Sequence, residues 1–214
     1  MKKENKKRFL LPASILIAFV LWTLAVSFID VRAIGPNGSS VGFATVNRFV
    51  HELLDVHMTL YVITDWLSIL PLCFILGFAV LGLVQWIKRR RILAVDLSIL
   101  ALGVFYIVVL ALYLFFETVV INYRPVLIDG YLEASYPSST TMLVLCVMPI
   151  AIMQFKERIN NRVLARLVLA LIIGFTAFMV IGRLVSGVHW FTDIIGGALL
   201  SSGLVMTYYS IVKL

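Results

Sequence analysis

The sequence predicts an all-α polytopic membrane protein: six transmembrane helices in one bundle, with a further amphipathic helix on the outer face. Three observations predict this class. Of the 214 residues, 62% are hydrophobic and 14% charged, against about 45–50% and about 25% in soluble domains, and mean hydropathy is +1.04. The apolar residues gather into six runs near the ~20 residues a helix needs to cross hydrocarbon. Basic residues flank these runs on alternate sides instead of scattering. The length suits a single membrane domain over 1–214.

The first span is read over 9–29, after Lys2, Lys3, Lys6, Lys7 and Arg8. Its apolar run exceeds the about 7–15 residues of a signal-peptide core, and no clean small-x-small cleavage pattern follows. The second and third spans, 67–87 and 97–116, are joined by a loop holding Lys88, Arg89, Arg90 and Arg91. The shorter fourth and fifth, 139–155 and 167–181, are separated by Lys156, Arg158, Arg162 and Arg166. The sixth, 190–212, ends at Lys213. These flanks hold fourteen of the 18 lysines and arginines; Arg32, Arg48, Arg124 and Arg183 are the others. The asymmetry predicts a cell-membrane protein, most simply of a bacterial plasma membrane, with both termini cytoplasmic. It also accounts for the net charge of +7 without a nucleic-acid partner. Cys73 and Cys146 fall inside apolar runs and have no disulfide or metal-site spacing.

The first outer connection opens with turn material, Gly35-Pro36-Asn37-Gly38-Ser39-Ser40. Val46, Phe49, Val50, Leu53, His57 and Leu60 then recur at helical spacing, with Arg48, Glu52 and Asp55 between them. This predicts one amphipathic helix over 41–62, lying either in the outer membrane interface or across the mouth of the bundle. His51 and His57 read as interfacial histidines.

Three polar groups fall on the outer side at the ends of different spans. They are Asn122-Tyr123-Arg124-Pro125, then Tyr136-Pro137-Ser138-Ser139-Thr140-Thr141, then the stretch from Arg183 to Asp193. Ionisable residues at a span boundary are costly and usually functional. Pro137, Ser138 and Ser139 open a helix, where free N–H groups and the helix dipole favour an anion. Arg124 and Arg183 supply planar forks suited to phosphate oxygens. His189 is the titratable nucleophile of the set, and Asp193, four residues on, is placed to hold its far ring nitrogen on one face of a helix. A Pro-Ser-Ser-Thr helix start is also an ordinary cap, and a His–Asp pair can be structural; the combination on one face favours a phosphate site.

At these residues the chain resembles the type 2 phosphatidic acid phosphatase superfamily of integral membrane lipid phosphatases, whose motifs run K-x6-R-P, P-S-x-H and S-R-x5-H-x3-D. Arg124-Pro125 matches the end of the first, Pro137-Ser138 the start of the second, and Arg183, His189 and Asp193 the third at its spacing. The resemblance implies that His189 forms a phosphohistidine assisted by Asp193, and that Arg124, Ser138, Ser139 and Arg183 bind phosphate. Three positions depart from the motifs: Glu117 stands for the lysine, Gly182 for the serine before the arginine, and Thr140 for the histidine that protonates the leaving oxygen. Threonine is a poor acid at neutral pH.

Three accounts of Thr140 stay open: binding without turnover, a proton from another group such as Glu117 through a water, or a leaving group that needs no proton. The implied function is hydrolysis of a lipid phosphate or pyrophosphate at the outer leaflet, a polyprenyl pyrophosphate being favoured and phosphatidylglycerol phosphate or phosphatidic acid next. The alternative is a catalytically impaired phospholipid-binding or lipid-transferring membrane protein of the same fold. No metal or cofactor is implied, because no carboxylate cluster surrounds His189. No internal repeat or pair of broken helices suggests a transporter.

Overall fold

The computed structural model describes residues 2–156 and 158–213, with side chains from residue 7 onward. The side chains of Lys2, Lys3 and Lys6, placed among the cytoplasmic flanks above, lie outside those described. Eight helices account for most of the described chain: α1 (Lys2–Phe28), α2 (Ala44–Leu54), α3 (Met58–Leu67), α4 (Ile69–Arg89), α5 (Leu97–Thr118), α6 (Ser139–Lys156), α7 (Arg162–Val185) and α8 (Phe191–Val212). A two-residue antiparallel ladder, β1 (Arg32–Ala33) against β2 (Ser40–Val41), closes the turn after α1. Among the described residues, six segments are long and apolar enough to span a membrane, with Met58–Arg89 forming one of them from α3 and α4 together.

α8 is the hub of the bundle, packing on α1, α6, α5, α2 and α7. Close approach comes from small residues, the usual basis of helix association in lipid. A Cβ at Gly203 would lie 2.6 Å from Leu16 Cδ2 of α1, and one at Gly196 would lie 2.5 Å from the Tyr136 ring. α6 is the most enclosed span and contributes Met142, Val144, Cys146, Met148, Ile150 and Ala151 to the core. The outer surfaces of α1, α4 and α7 instead expose Leu, Ile, Val and Phe, the composition of a lipid-facing belt.

Antiparallel alternation sends the Lys88–Arg91 loop, the basic residues after α6 and both termini to one end. Ser210 Oγ donates to Arg8 O at 3.1 Å there. Within that half, buried Gln154 donates to Tyr208 Oη and Tyr208 donates to Ser98 O, each at 3.0 Å. This satisfies polar groups that would be costly in hydrocarbon. Asn161 caps α7, accepting from Val163 N at 2.9 Å and Leu164 N at 3.2 Å.

The single amphipathic helix expected over 41–62 is two helices. α2 stops at Leu54, Asp55 takes φ 58° with its N–H bonded to His51 O, and α3 begins after His57. The break is fastened from outside: His57 N donates to Ser186 O at 3.0 Å, and Gly187 (φ +69°) packs so closely that a Cβ would lie 2.2 Å from Asp55 O. Leu60 therefore belongs to α3, which runs on into the second span, and helical spacing alone could not reveal the break. α2 lies across the bundle mouth. Buried Asn47 donates to Thr192 Oγ1 at 2.9 Å and accepts from Thr192 N at 3.2 Å, capping α8. Its apolar residues Val46, Phe49 and Leu53 point away from the protein and are exposed, so the other face suits the membrane interface.

Candidate active site

At the end opposite the basic loops, residues 119–138 fold back as a hairpin. Arg124 N donates to Glu133 O at 3.0 Å and Ser135 N to Asn122 O at 2.9 Å. Ile128 and Tyr131 pair across Asp129-Gly130, both with positive φ (51° and 84°), the backbone a two-residue Asp-Gly turn adopts. The register puts Asn122, Arg124, Glu133 and Ser135 side by side above the starts of α6 and α8. Trp190 Nε1 donates to Tyr123 O at 2.7 Å and pins the hairpin to the α7–α8 connection.

His189 is 3% exposed and Asp193 fully buried. The expectation that they share a helix face is not met. His189 precedes α8, whose N-cap is Trp190, and its Nδ1 lies 3.9 Å from Asp193 Oδ2, beyond hydrogen-bond range. Asp193 is the third residue of the helix, and its Oδ2 accepts from Trp190 N at 2.9 Å, the carboxylate's part in a capping box. Asn122 Nδ2 donates to Oδ1 at 3.2 Å. Ser135 fills the gap: its Oγ donates to Asp193 Oδ2 at 2.5 Å and lies 3.0 Å from His189 Nδ1. The other ring nitrogen, Nε2, lies 3.5 Å from Arg124 Nη1.

The two arginines converge on Tyr61 of α3. The Arg183 guanidinium stacks 4.7 Å from the ring centroid and that of Arg124 lies 5.8 Å from it. Arg183 is 1% exposed. It donates to Asp65 Oδ1 at 3.1 Å, Tyr61 O at 3.3 Å and Thr64 Oγ1 at 3.3 Å. Arg124 Nε lies 3.1 Å from Glu133 Oε2, but off the N–H direction; it and Arg183 Nε are buried donors without a hydrogen-bond acceptor. Two guanidiniums side by side present several N–H donors of the geometry that suits an anion with several oxygens.

Both arginines line a cavity of about 1010 Å³ with Ser139, Thr140, Glu117 and Asp65 at its polar end. Leu72, Ile75, Ile107, Val109, Leu110 and Leu143 carry it down between α4 and α5. A charged head with an apolar chain fits such a wall. His189 stands behind Arg124, off the cavity wall. Ser138, expected to bind phosphate, is wholly buried off that wall; its Oγ accepts from Thr141 N at 3.5 Å and its N–H donates to Asp193 O at 3.1 Å. The contact with Thr141 N is the kind an N-cap serine makes at a helix start. Burial and the charges of Arg124 and Arg183 together hold the His189 pKa well below 6.5.

The structure thus brings together Arg124, Ser139, Thr140, Arg183 and Glu117 on the cavity, with His189 and Asp193 behind. Sequence reasoning named Asn122 within the first polar group without giving it a role, and missed Ser135, Tyr61, Asp65 and Glu133. The Asp129-Gly130 hairpin signal could have found Ser135 and Glu133, because it pairs them with Asn122 and Arg124. Nothing in the sequence signals Tyr61 and Asp65, whose place depends on the break at Asp55.

The model of the PAP2 superfamily matches residues 72–214. The fold is shared with the crystal structure of a transmembrane PAP2 type phosphatidylglycerolphosphate phosphatase from Bacillus subtilis, at a TM-score of 0.58 and 20% identity, over 92% of this chain and 94% of that one. No curated protein matches the chain.

Proposed function

The chain belongs to the PAP2 superfamily, and from that premise we propose that it is a membrane lipid phosphatase working through a phosphohistidine on His189. The carrying observation is that His189 Nε2 lies 3.5 Å from the Arg124 guanidinium, which itself lines a large cavity with both polar and apolar walls. Phosphoryl transfer needs positioning and charge stabilisation more than covalent help. Arg124 and Arg183 bind the non-bridging oxygens, with Ser139 at the helix start contributing beside them. Nε2 attacks phosphorus as the phosphorus–oxygen bond to the lipid breaks, and the departing oxygen keeps the electron pair. Water then attacks phosphorus, the P–N bond breaks and phosphate leaves. Asp193, as a carboxylate, supports the ring from its far side. On the positive-inside reading, the termini are cytoplasmic and the site faces outward.

Thr140 stands on the cavity wall where an acid would serve the leaving oxygen. A phosphate leaving group has a second pKa of about 6, whereas water's is about 16 and an alcohol's is comparable. A pyrophosphate therefore departs without a proton donor more readily than a monophosphate. The favoured substrate is accordingly a lipid pyrophosphate such as a polyprenyl pyrophosphate, with a phosphatidylglycerol phosphate or phosphatidic acid next. The same threonine favours a second reading, a phospholipid-binding or lipid-transferring protein without turnover.

Phosphate release by purified protein from lipid monophosphates and pyrophosphates, with EDTA present, separates these readings. The first expects release from pyrophosphates that His189→Ala abolishes without loss of membrane insertion. Equal rates on mono- and pyrophosphates would remove the leaving-group argument. No release from any substrate, followed by a large gain in Thr140→His, would establish the second reading.

A further inference from the structure

We infer that Ser135 is a positioning residue for His189, its hydroxyl coupling the ring to Asp193 and holding the tautomer whose Nε2 is free to attack. The inference rests on the phosphohistidine reading above and adds a link between the two residues that reading pairs.

Three distances carry it. His189 Nδ1 and Asp193 Oδ2 are 3.9 Å apart, too far for direct support. Ser135 Oγ lies 3.0 Å from the first and 2.5 Å from the second. A serine hydroxyl has one proton and two lone pairs. Asp193, as a carboxylate, accepts only, so the serine proton goes to Oδ2. Oγ must then accept from His189, which fixes a proton on Nδ1 and leaves the Nε2 lone pair toward Arg124. The reverse tautomer would set two lone pairs, Nδ1 and Oγ, against each other in a fully buried space.

The serine is locked in place. It is 2% exposed, and its N–H donates to Asn122 O while Asn122 Nδ2 holds Asp193 Oδ1. One hairpin pair therefore sets both ends of the link. Ser135 is absent from the wall of the large cavity, which Ala134, Ser139 and Thr140 line instead, and its hydroxyl is already engaged by Asp193 and His189. During attack Nδ1–H stays bonded to Oγ while Nε2 gains phosphorus. Asp193 thereby opposes the growing positive charge on the ring through one hydroxyl.

The test combines a mutant cycle with spectroscopy. Ser135→Ala, Asp193→Ala and the double variant are assayed for kcat and KM on a lipid pyrophosphate. The link predicts that Ser135→Ala lowers kcat ten- to a hundredfold with KM within about twofold. It also predicts that the double variant is no worse than Asp193→Ala, as groups acting as a unit behave. Ser135→Thr, which keeps the hydroxyl, restores most of the rate. In detergent, 15N NMR of the His189 ring reads the Nδ1–H form in the parent protein and a mixture in Ser135→Ala, with no turnover required. Multiplicative losses, or an unchanged ring spectrum and kcat in Ser135→Ala, would overturn the link. Full activity in His189→Ala would instead overturn the phosphohistidine reading itself.

Discussion

His189 owes its charge state to its surroundings. It is buried, and the groups around it are the Arg124 guanidinium, Arg183 nearby, Ser135 through its hydroxyl and its backbone, and the Asp193 carboxyl group 3.9 Å from Nδ1. Burial is the largest influence and the two cations add to it, all favouring the neutral ring, so the pKa falls well below 6.5. The protonated ring cannot attack. A depressed pKa keeps the competent neutral form as pH falls through 6.5, and competence is lost only at more acid pH. Single-turnover phosphate release should therefore stay flat across pH 6.5, with its acid limb below that value; a limb centred on 6.5 would contradict the burial argument. Arg183 makes a second prediction. It engages Asp65, Tyr61 and Thr64 while stacking on Tyr61, a set only a planar fork can satisfy. Arg183→Lys keeps the charge but loses the fork, and should lower kcat/KM tenfold or more while the protein still inserts.

Between elements, Asn47 ties α2 to the start of α8 by hydrogen bonds. Asn47 both donates to and accepts from Thr192, so removing it strands the Thr192 N–H at the start of the helix that carries Asp193. Asn47→Ala should destabilise the protein by about 1–3 kcal/mol, the cost of a buried unpaired donor, read as earlier thermal unfolding in detergent. Phe49→Ala, two residues on but exposed, should leave that transition in place. The same elements show what the sequence could disclose. Apolar runs made the spans legible, and the ends of α5, α6 and α8 fall within a few residues of expectation. The α2–α3 break was not legible, because its cause, His57 bonded to Ser186 and Gly187 against Asp55, is a contact between segments far apart in the chain. Ser135 was hidden similarly: its serine neighbours Ser138 and Ser139 lie in the motif, and only the hairpin register distinguishes it. The direct His189–Asp193 contact was expected because the spacing suits a helix, but the helix starts after His189.

At the scale of the whole molecule, the charge asymmetry bears on which end faces which side of the membrane. Basic flanks resist translocation, so the proposed outward site goes with a cytoplasmic Lys88–Arg91 loop and a cytoplasmic segment after α6. The far end carries four arginines: Arg32 is paired with Asp30, Arg48 lies on α2, and Arg124 and Arg183 are engaged among the residues around Tyr61, so no basic cluster like the Lys88–Arg91 loop stands there. Two exposed side chains at opposite ends test this directly, Tyr131 at the hairpin tip (74% exposed) and Leu93 in the basic loop (89% exposed). Gly187 is unsuitable as a probe position, since any Cβ there meets Asp55 O. In a Cys73→Ser background, where buried Cys146 is sheltered from reagent, Tyr131→Cys should react with a membrane-impermeant maleimide in intact cells. Leu93→Cys should react only after the membrane is opened. The reverse pattern would turn the bundle over and move the proposed site to the cytoplasmic leaflet, changing which lipid pool reaches it.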